Sequence, residues 1–386
     1  MSIAPSSLYI HIPFCIRKCS YCDFVSYPCR EDSIEKYTEA LIHELHSFPA
    51  LAPSVTVSPM KTVYIGGGTP SLLSGGQLTS ILLAIKETFD ITSDAEITME
   101  ANPGTVTQES LRAYREAGVN RLSFGVQSLN NDVLFTLGRI HNADMALEAI
   151  AMAHAAGFSN ISADMMLGIP GQTIEMAVDT ATSLINTGIT HLSFYSLSLE
   201  EGTPMREKYE KSLEEYMPQE TERAMVHAVM EKAAQLGFVH YEISNMALPG
   251  KESRHNQIYW HGLPYLGFGA GAHAYFEGKR YAHDDTIDAY CANMANPKPS
   301  FTDLYHIEEE LTGNDEKKEY MMLGFRRIEG ISEEAYQERF GEAPDALFAD
   351  VLADEIKRGL VEKKEGYYRL TAKGIDFGNQ VFEDYV

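Results

Sequence analysis

The chain has 386 residues, too many for one ordinary core and enough for a barrel-like domain of roughly 200–250 residues with smaller companions. Its apolar fraction of 44% is that of a globular protein, no run of roughly eighteen apolar residues predicts a membrane span, and Met1-Ser-Ile-Ala-Pro-Ser-Ser7 lacks the pattern of a secretory signal. A net charge of −24 repels phosphate backbones and argues against a nucleic-acid partner; five cysteines, three of them in a tight metal-like spacing, predict a reducing compartment, the cytoplasm.

Ser7-Leu-Tyr-Ile-His-Ile-Pro13 alternates and is rich in β-branched and aromatic residues, so it reads as a strand that ends at the proline. From Ser33 to about Phe48, Ile34, Tyr37, Leu41 and Leu45 recur at helical spacing behind a serine N-cap. The same unit recurs. Lys61–Ile65 is a strand running into Gly66-Gly-Gly-Thr-Pro70, with Leu78, Ile81, Leu82 and Ile85 as a helix face behind it. Ala95–Glu100 is followed by a helix over Gln108 to Ala117 that stops at Gly118. Arg121–Gln127, Asn160–Met166 and His191–Leu197 are further strands, each with a helical stretch after it. Six such units predict an α/β fold, a partial (β/α)6 TIM-like barrel with its active site at the C-terminal strand ends.

A long helix is expected over Thr221 to Leu236 and a strand over Phe238 to Ile243, while Ser253 to Tyr275 is dense in aromatic, His and Gly residues and has no simple period. Past about Pro299, three short helices (Glu319–Arg327, Ser332–Phe340, Pro344–Arg358) precede a hairpin turning at Glu365-Gly366. That order predicts a winged-helix-like α+β domain. Its helices carry Glu333, Glu334, Glu338, Asp350, Asp354 and Glu355, which favours a structural or partner-docking role over DNA binding. The expected division is 1–236 for the barrel, 237–298 for an aromatic extension closing it, and 299–386 for the C-terminal domain.

Cys15-Ile-Arg-Lys-Cys19-Ser-Tyr-Cys22 hangs from the end of the first strand and brings three thiols toward one point. A zinc ribbon would add a second ligand pair a dozen or more residues on, and only Cys29 and the distant Cys291 remain. Three thiolates instead suit a 4Fe-4S cluster with one iron left open; buried small hydrophobes or a partial zinc site are the plainer alternatives. Gly66 to Thr69, Glu100, Gln127 and Asp164 also sit at strand ends. Glycines let backbone approach a ligand, Glu100 suits ribose hydroxyls and Arg139 suits a carboxylate, although singly the glycines fit a turn and each polar group fits a satisfied core position.

Cys15-x3-Cys19-x2-Cys22, with Tyr21 before the third cysteine, resembles the signature of the radical S-adenosylmethionine superfamily. Tyr9-Ile-His-Ile-Pro-Phe-Cys15, Gly66–Pro70, Gly125-Val-Gln-Ser128 and Asp164–Gly171 are similar to the branch that holds the oxygen-independent coproporphyrinogen III dehydrogenases and the related heme chaperones of the HemW type, over nearly the whole chain. The resemblance implies that Cys15, Cys19 and Cys22 hold the cluster and that an electron donor serves it for reductive cleavage of S-adenosylmethionine. It also implies that Tyr21 lies against the adenine, that Gly67, Gly68 and Thr69 take the methionine amino end, that Glu100 takes the ribose, and that Tyr9, Gln127, Arg139 and Asp164 complete the pocket.

Two departures divide the branch. The dehydrogenases resemble Cys-x3-Cys-x2-Cys-x-Cys, whereas Phe24 stands in the place of the fourth cysteine here. Arg254-His255-Asn256-Gln-Ile-Tyr259-Trp260 resembles the His-Asn-x-x-Tyr-Trp signature of the heme chaperones. Imidazole is a good axial ligand for heme iron, and Tyr259 and Trp260 suit a flat macrocycle; a histidine among aromatics equally suits a core. The first reading is therefore a chaperone that binds heme and delivers it to acceptor hemoproteins, and the second is an oxygen-independent coproporphyrinogen III dehydrogenase.

Overall fold

The structure is a computed structural model that describes residues 3–386. Six strands, β1 (Ser7–Ile12), β2 (Met60–Gly67), β3 (Ile91–Ala101), β4 (Arg121–Gln127), β5 (Ile161–Leu167) and β6 (His191–Ser196), lie side by side in chain order, every neighbouring pair parallel. Helices α1 (Ile34–Leu51), α2 (Gly75–Thr88), α3 (Gln108–Ala117), α4 (Ala143–Ala155), α5 (Ile174–Asn186) and α6 (Gln219–Gln235) follow the six strands in turn. This is the expected partial barrel.

Alternation decides which way each strand faces. Val63 and Ile65, Ile97 and Met99, and Leu122, Phe124 and Val126 join the hydrophobic core. The residues between them, Tyr64, Glu100, Arg121, Ser123, Gly125 and Gln127, line the lumen. A polar inner face and an apolar outer face covered by helices are what a ligand-holding barrel requires. Caps fix the helix starts: Ser74 and Gln77 form a reciprocal capping box before α2, and α3 ends on Gly118 at φ 120°. The expected serine cap of α1 differs. Ser33 occupies the N-cap position, but its side chain makes no cap bond; its hydroxyl accepts from Arg30 Nε at 3.3 Å and Nη2 at 3.1 Å instead.

The strand expected over Phe238 to Ile243 supplies one edge of the sheet, and the segment without a simple period supplies the other. β7 (Val239–Glu242) pairs with β8 (Asn245–Ala247), which runs antiparallel along β6, and β9 (Leu266–Phe268) runs parallel along the free edge of β1. Between them, the short helix α7 (Arg254–Trp260) seals the barrel floor. Its first backbone amides, of Arg254 and His255, donate to the Glu96 carboxylate in the middle of β3 at 3.3 and 3.1 Å, and Ser253 caps it.

The C-terminal domain has its own core around Tyr320, Phe325, Tyr336, Phe348 and Tyr368. It contains helices α8 (Asp315–Gly324), α9 (Glu333–Phe340) and α10 (Asp345–Arg358), and a three-stranded sheet of Ile331–Ser332, Tyr367–Leu370 and Val361–Lys364. The hairpin turns where expected, with φ of 55° at Glu365 and 81° at Gly366. The first helix starts and ends earlier than the sequence predicts. Its continuation, Arg326 to Ile328, is drawn away to β7, where Ile243 N donates to Arg326 O at 3.0 Å and Ile328 N to Tyr241 O at 3.1 Å.

Candidate functional site

The cysteine loop leaves β1 at Pro13 and is held on two sides. Phe14–Cys15 pairs with Tyr27–Pro28, and Tyr27 N donates to Pro13 O at 2.7 Å. Opposite, Ser20 N donates to Leu137 O at 3.1 Å, and Arg17 Nη2 reaches the carbonyls of Gly138 and Arg139 at 2.7 and 2.9 Å. A turn from Cys22 N to Cys19 O, 3.3 Å, folds the loop on itself.

Below the loop lies a cavity of about 330 Å3. Its walls include Cys15, Cys19 and Cys22 together with Tyr21, Gly67, Gly68, Thr69, Glu100, Gln127, Arg139 and Asp164, so all the proposed cluster and S-adenosylmethionine residues except Tyr9 share one chamber. Tyr9 faces an adjoining cavity of about 380 Å3 with His11, Asp23, Tyr259, Tyr265 and His273; Phe24, Gly67 and Glu100 belong to both chambers.

Glycine is required at two of these positions. A Cβ on Gly68 would stand 2.6 Å from Phe14 O and 3.1 Å from Cys15 Sγ, and one on Gly67, at φ 112°, would stand 2.7 Å from the His11 ring. Gln127 sits at φ 67° in a register shift at the end of β4, a strained conformation for a side-chain-bearing residue. Arg139 ties the chamber to the loop: Nη1 donates to Cys19 Sγ at 3.2 Å and to Tyr21 Oη at 3.4 Å, while Nη2 donates to Gly125 O at 2.6 Å and to Asn102 Oδ1. Glu100 accepts from Tyr64 Oη at 2.7 Å and Gly67 N at 3.1 Å, and burial pushes its carboxyl up to about 7. Burial also raises the Asp164 carboxyl, against Ser193, Arg121 and the Ser123 hydroxyl 3.2 Å away.

Three thiols, a glycine cradle beside Cys15 and a guanidinium on Cys19 fit a 4Fe-4S cluster. Cys15, Cys19 and Cys22 open onto one chamber, and a cubane takes each thiolate on a different iron. Burial raises the Cys15 thiol and pushes Cys22 up to about 11, so loading the site releases protons.

The four motif residues of α7 do not form one face. His255 is 1% exposed, with Nδ1 3.0 Å from Ser7 Oγ and 2.9 Å from Thr62 Oγ1, and Nε2 2.7 Å from Tyr259 Oη. Burial pushes its pKa down to about 3, with Arg121 adding to the effect. Asn256 reaches the main chamber, Tyr259 the adjoining one, and Trp260 lies under the Arg326 guanidinium, 4.4 Å from its ring centre. Sequence reasoning missed Tyr64, Asn102, Arg121, Ser123, His191 and Ser193 as chamber walls. The signal was present in β4, where Arg121, Ser123, Gly125 and Gln127 alternate with apolar residues and mark a polar lumen face.

Barrel, cysteine loop and chamber together define a protein of the radical S-adenosylmethionine class. The model for the Radical SAM superfamily matches residues 9–184, and that for the HemN C-terminal domain matches residues 311–377. The chain belongs to the HemW family. It is 38% identical to the heme chaperone HemW of Bacillus subtilis (strain 168) over 378 residues, covering 97% of this chain and 98% of that one. It is 33% identical to heme chaperone HemW of Escherichia coli (strain K12) over 389 residues, covering 99% and 98%. Among solved structures, coproporphyrinogen III oxidase (HemN) from Escherichia coli, a radical SAM enzyme, superposes with a TM-score of 0.82 at 21% identity over 99% of this chain and 90% of that one, a likeness of fold.

Proposed function

We propose that the chain is a heme chaperone of the radical SAM type, holding a 4Fe-4S cluster on Cys15, Cys19 and Cys22 and S-adenosylmethionine in the chamber below. The observation that carries this reading is the full-length relation to proteins named heme chaperones, joined to Phe24 at the flank of the loop. The Phe24 side chain is 64% exposed and offers no thiolate to a second cofactor or substrate. A reduced cluster supplies an electron to a bound sulfonium. The chain's part is to bind and orient: Gly67, Gly68 and Thr69 for the amino end, Glu100 for the ribose, Tyr21 for the adenine, and Gln127, Arg139 and Asp164 for the rest, with Tyr9 reaching the neighbouring chamber.

Heme, acceptor hemoproteins and an electron donor for the cluster are the partners of this reading, and the cytoplasm its place. Among the described residues no helix is long and apolar enough to cross a membrane. The dehydrogenase is the competing reading, and one assay separates them. Cluster-loaded chain incubated anaerobically with coproporphyrinogen III, S-adenosylmethionine and a reductant is expected to leave the substrate unchanged; steady formation of protoporphyrinogen IX overturns the chaperone. Cys19→Ser is expected to abolish the visible absorption of the cluster after reconstitution, and an intact cluster in that variant contradicts the ligand set.

A further inference from the structure

A third cavity, a groove of about 800 Å3, lies where the outer side of α7 meets the C-terminal domain. Arg254, Ile258 and His261 line one side, Arg327 and Ile328 another, and His240 and Tyr241 of β7 a third. The volume falls within the range of roughly 300–1,000 Å3 usual for cofactor sites. The groove is reached from solvent, unlike His255, whose two ring nitrogens are engaged in the barrel floor.

His261 caps the C-terminal end of α7. Its Nδ1 is 2.7 Å from the Gln257 carbonyl, which makes Nδ1 the protonated nitrogen and leaves the lone pair on Nε2. A backbone carbonyl on one nitrogen, fixing the other for a metal, is the usual second partner of a ligating histidine. Burial and the neighbouring Arg327 hold the ring below its ordinary pKa, hence neutral. Nε2 faces Arg327 Nη1 at 2.9 Å. Arg327 is 7% exposed, and among the described residues its Nε has no partner and no carboxylate oxygen lies within 4.0 Å of its guanidinium. Burial disfavours the guanidinium charge, and Tyr320 and Glu329 offset that only in part. Glu252 and Glu329 also line the groove, as does the exposed Arg254, which forms an ion pair with Asp94.

One lone-pair nitrogen, aliphatic walls and two guanidiniums suit a flat molecule bearing iron and two carboxylates. We propose that heme binds in this groove with His261 Nε2 as its axial ligand, Arg327 passing from the imidazole to a propionate. The site rests on the heme-binding reading above and assigns it a place distinct from His255.

The test is hemin titration of the full chain and its His261→Gln and His255→Gln variants, followed at the Soret band, with far-ultraviolet dichroism confirming that each is folded. His261→Gln is expected to lose at least tenfold in affinity and the low-spin band, His255→Gln to stay within threefold of the parent, and added imidazole to restore the band in His261→Gly. Hemin dimethyl ester is expected to bind the parent at least tenfold more weakly than hemin. Parent-like binding by His261→Gln, with loss confined to His255→Gln, overturns the groove while leaving the chaperone reading intact. A parent chain that takes up no hemin removes both.

Discussion

At the scale of single residues the chamber is costly. The Glu100 carboxyl, raised to about 7 from an ordinary 4.5, stays protonated in the folded chain at a pH where the unfolded chain has already lost its proton. Its cost to stability therefore grows as pH rises from about 4.5 to about 7 and holds above that. The shift corresponds to at most about 3 kcal/mol, less because the carboxyl faces an open chamber. Thermal melts of the metal-free chain check this: Glu100→Gln is expected to melt above the parent at pH 8 with the gap closing near pH 4.5, and a gap that does not change with pH contradicts the account. Gly68→Ala makes a different point. The added methyl meets Phe14 O and Cys15 Sγ, so iron content after reconstitution is expected to fall below half of the parent's, whereas full loading would show that the cradle yields.

That the three cysteines and most of the strand-end polar residues share one chamber was legible at this scale, because a thiol triplet and polar residues at strand ends keep their meaning without coordinates. Tyr9 was assigned to the same chamber as Glu100, yet its side chain lies in the next one, bonded to His11 Nδ1 at 2.9 Å. A motif fixes a residue's neighbourhood, but the pleat of its strand decides which chamber its side chain enters.

Among elements, α1 is anchored by a buried carboxylate that no motif announces. Glu44, fully buried, accepts from Gly269 N at 3.0 Å, Tyr290 Oη at 2.5 Å, Tyr305 Oη at 3.1 Å and His283 Nε2 at 2.6 Å. The knot holds the backbone after β9, and a Cβ on Gly271 in that loop would stand 2.7 Å from Val25, just beyond the cysteine loop. Glu44→Leu leaves four donors without an acceptor and is expected to cost about 3–5 kcal/mol in urea unfolding of the metal-free chain; a loss below 1 kcal/mol would show that the knot carries little. Spacing puts Glu44 on the same helix face as Leu41, Leu45 and Phe48, but its use is set by tertiary partners over two hundred residues away that the sequence does not show. The barrel strands were plain in the sequence because each alternates for five or more residues. Strands β8 and β9, three residues each, and α7, seven residues, are too short to show a period and are defined by what they pack against.

For the whole molecule, the junction between barrel floor and C-terminal domain decides how the parts communicate. The backbone bonds of Ile243 and Ile328, the Arg339 bonds to the carbonyls of His261 and Gly262 at 3.1 and 2.9 Å, and the Arg326–Trp260 stack all cross it. Trp260 is the single tryptophan of the chain, so its fluorescence reports this junction. Arg326→Ala is expected to shift its emission to longer wavelength and lower the melting temperature; an unchanged spectrum would place the docking energy elsewhere.

A radical SAM barrel that serves heme must bind it while keeping its cluster. Anaerobic titration of hemin into the cluster-loaded full chain tests it most directly. A saturable Soret change ending near one heme per chain is expected, with the cluster absorption intact. A signal that rises without saturation, or that matches free hemin throughout, would contradict it.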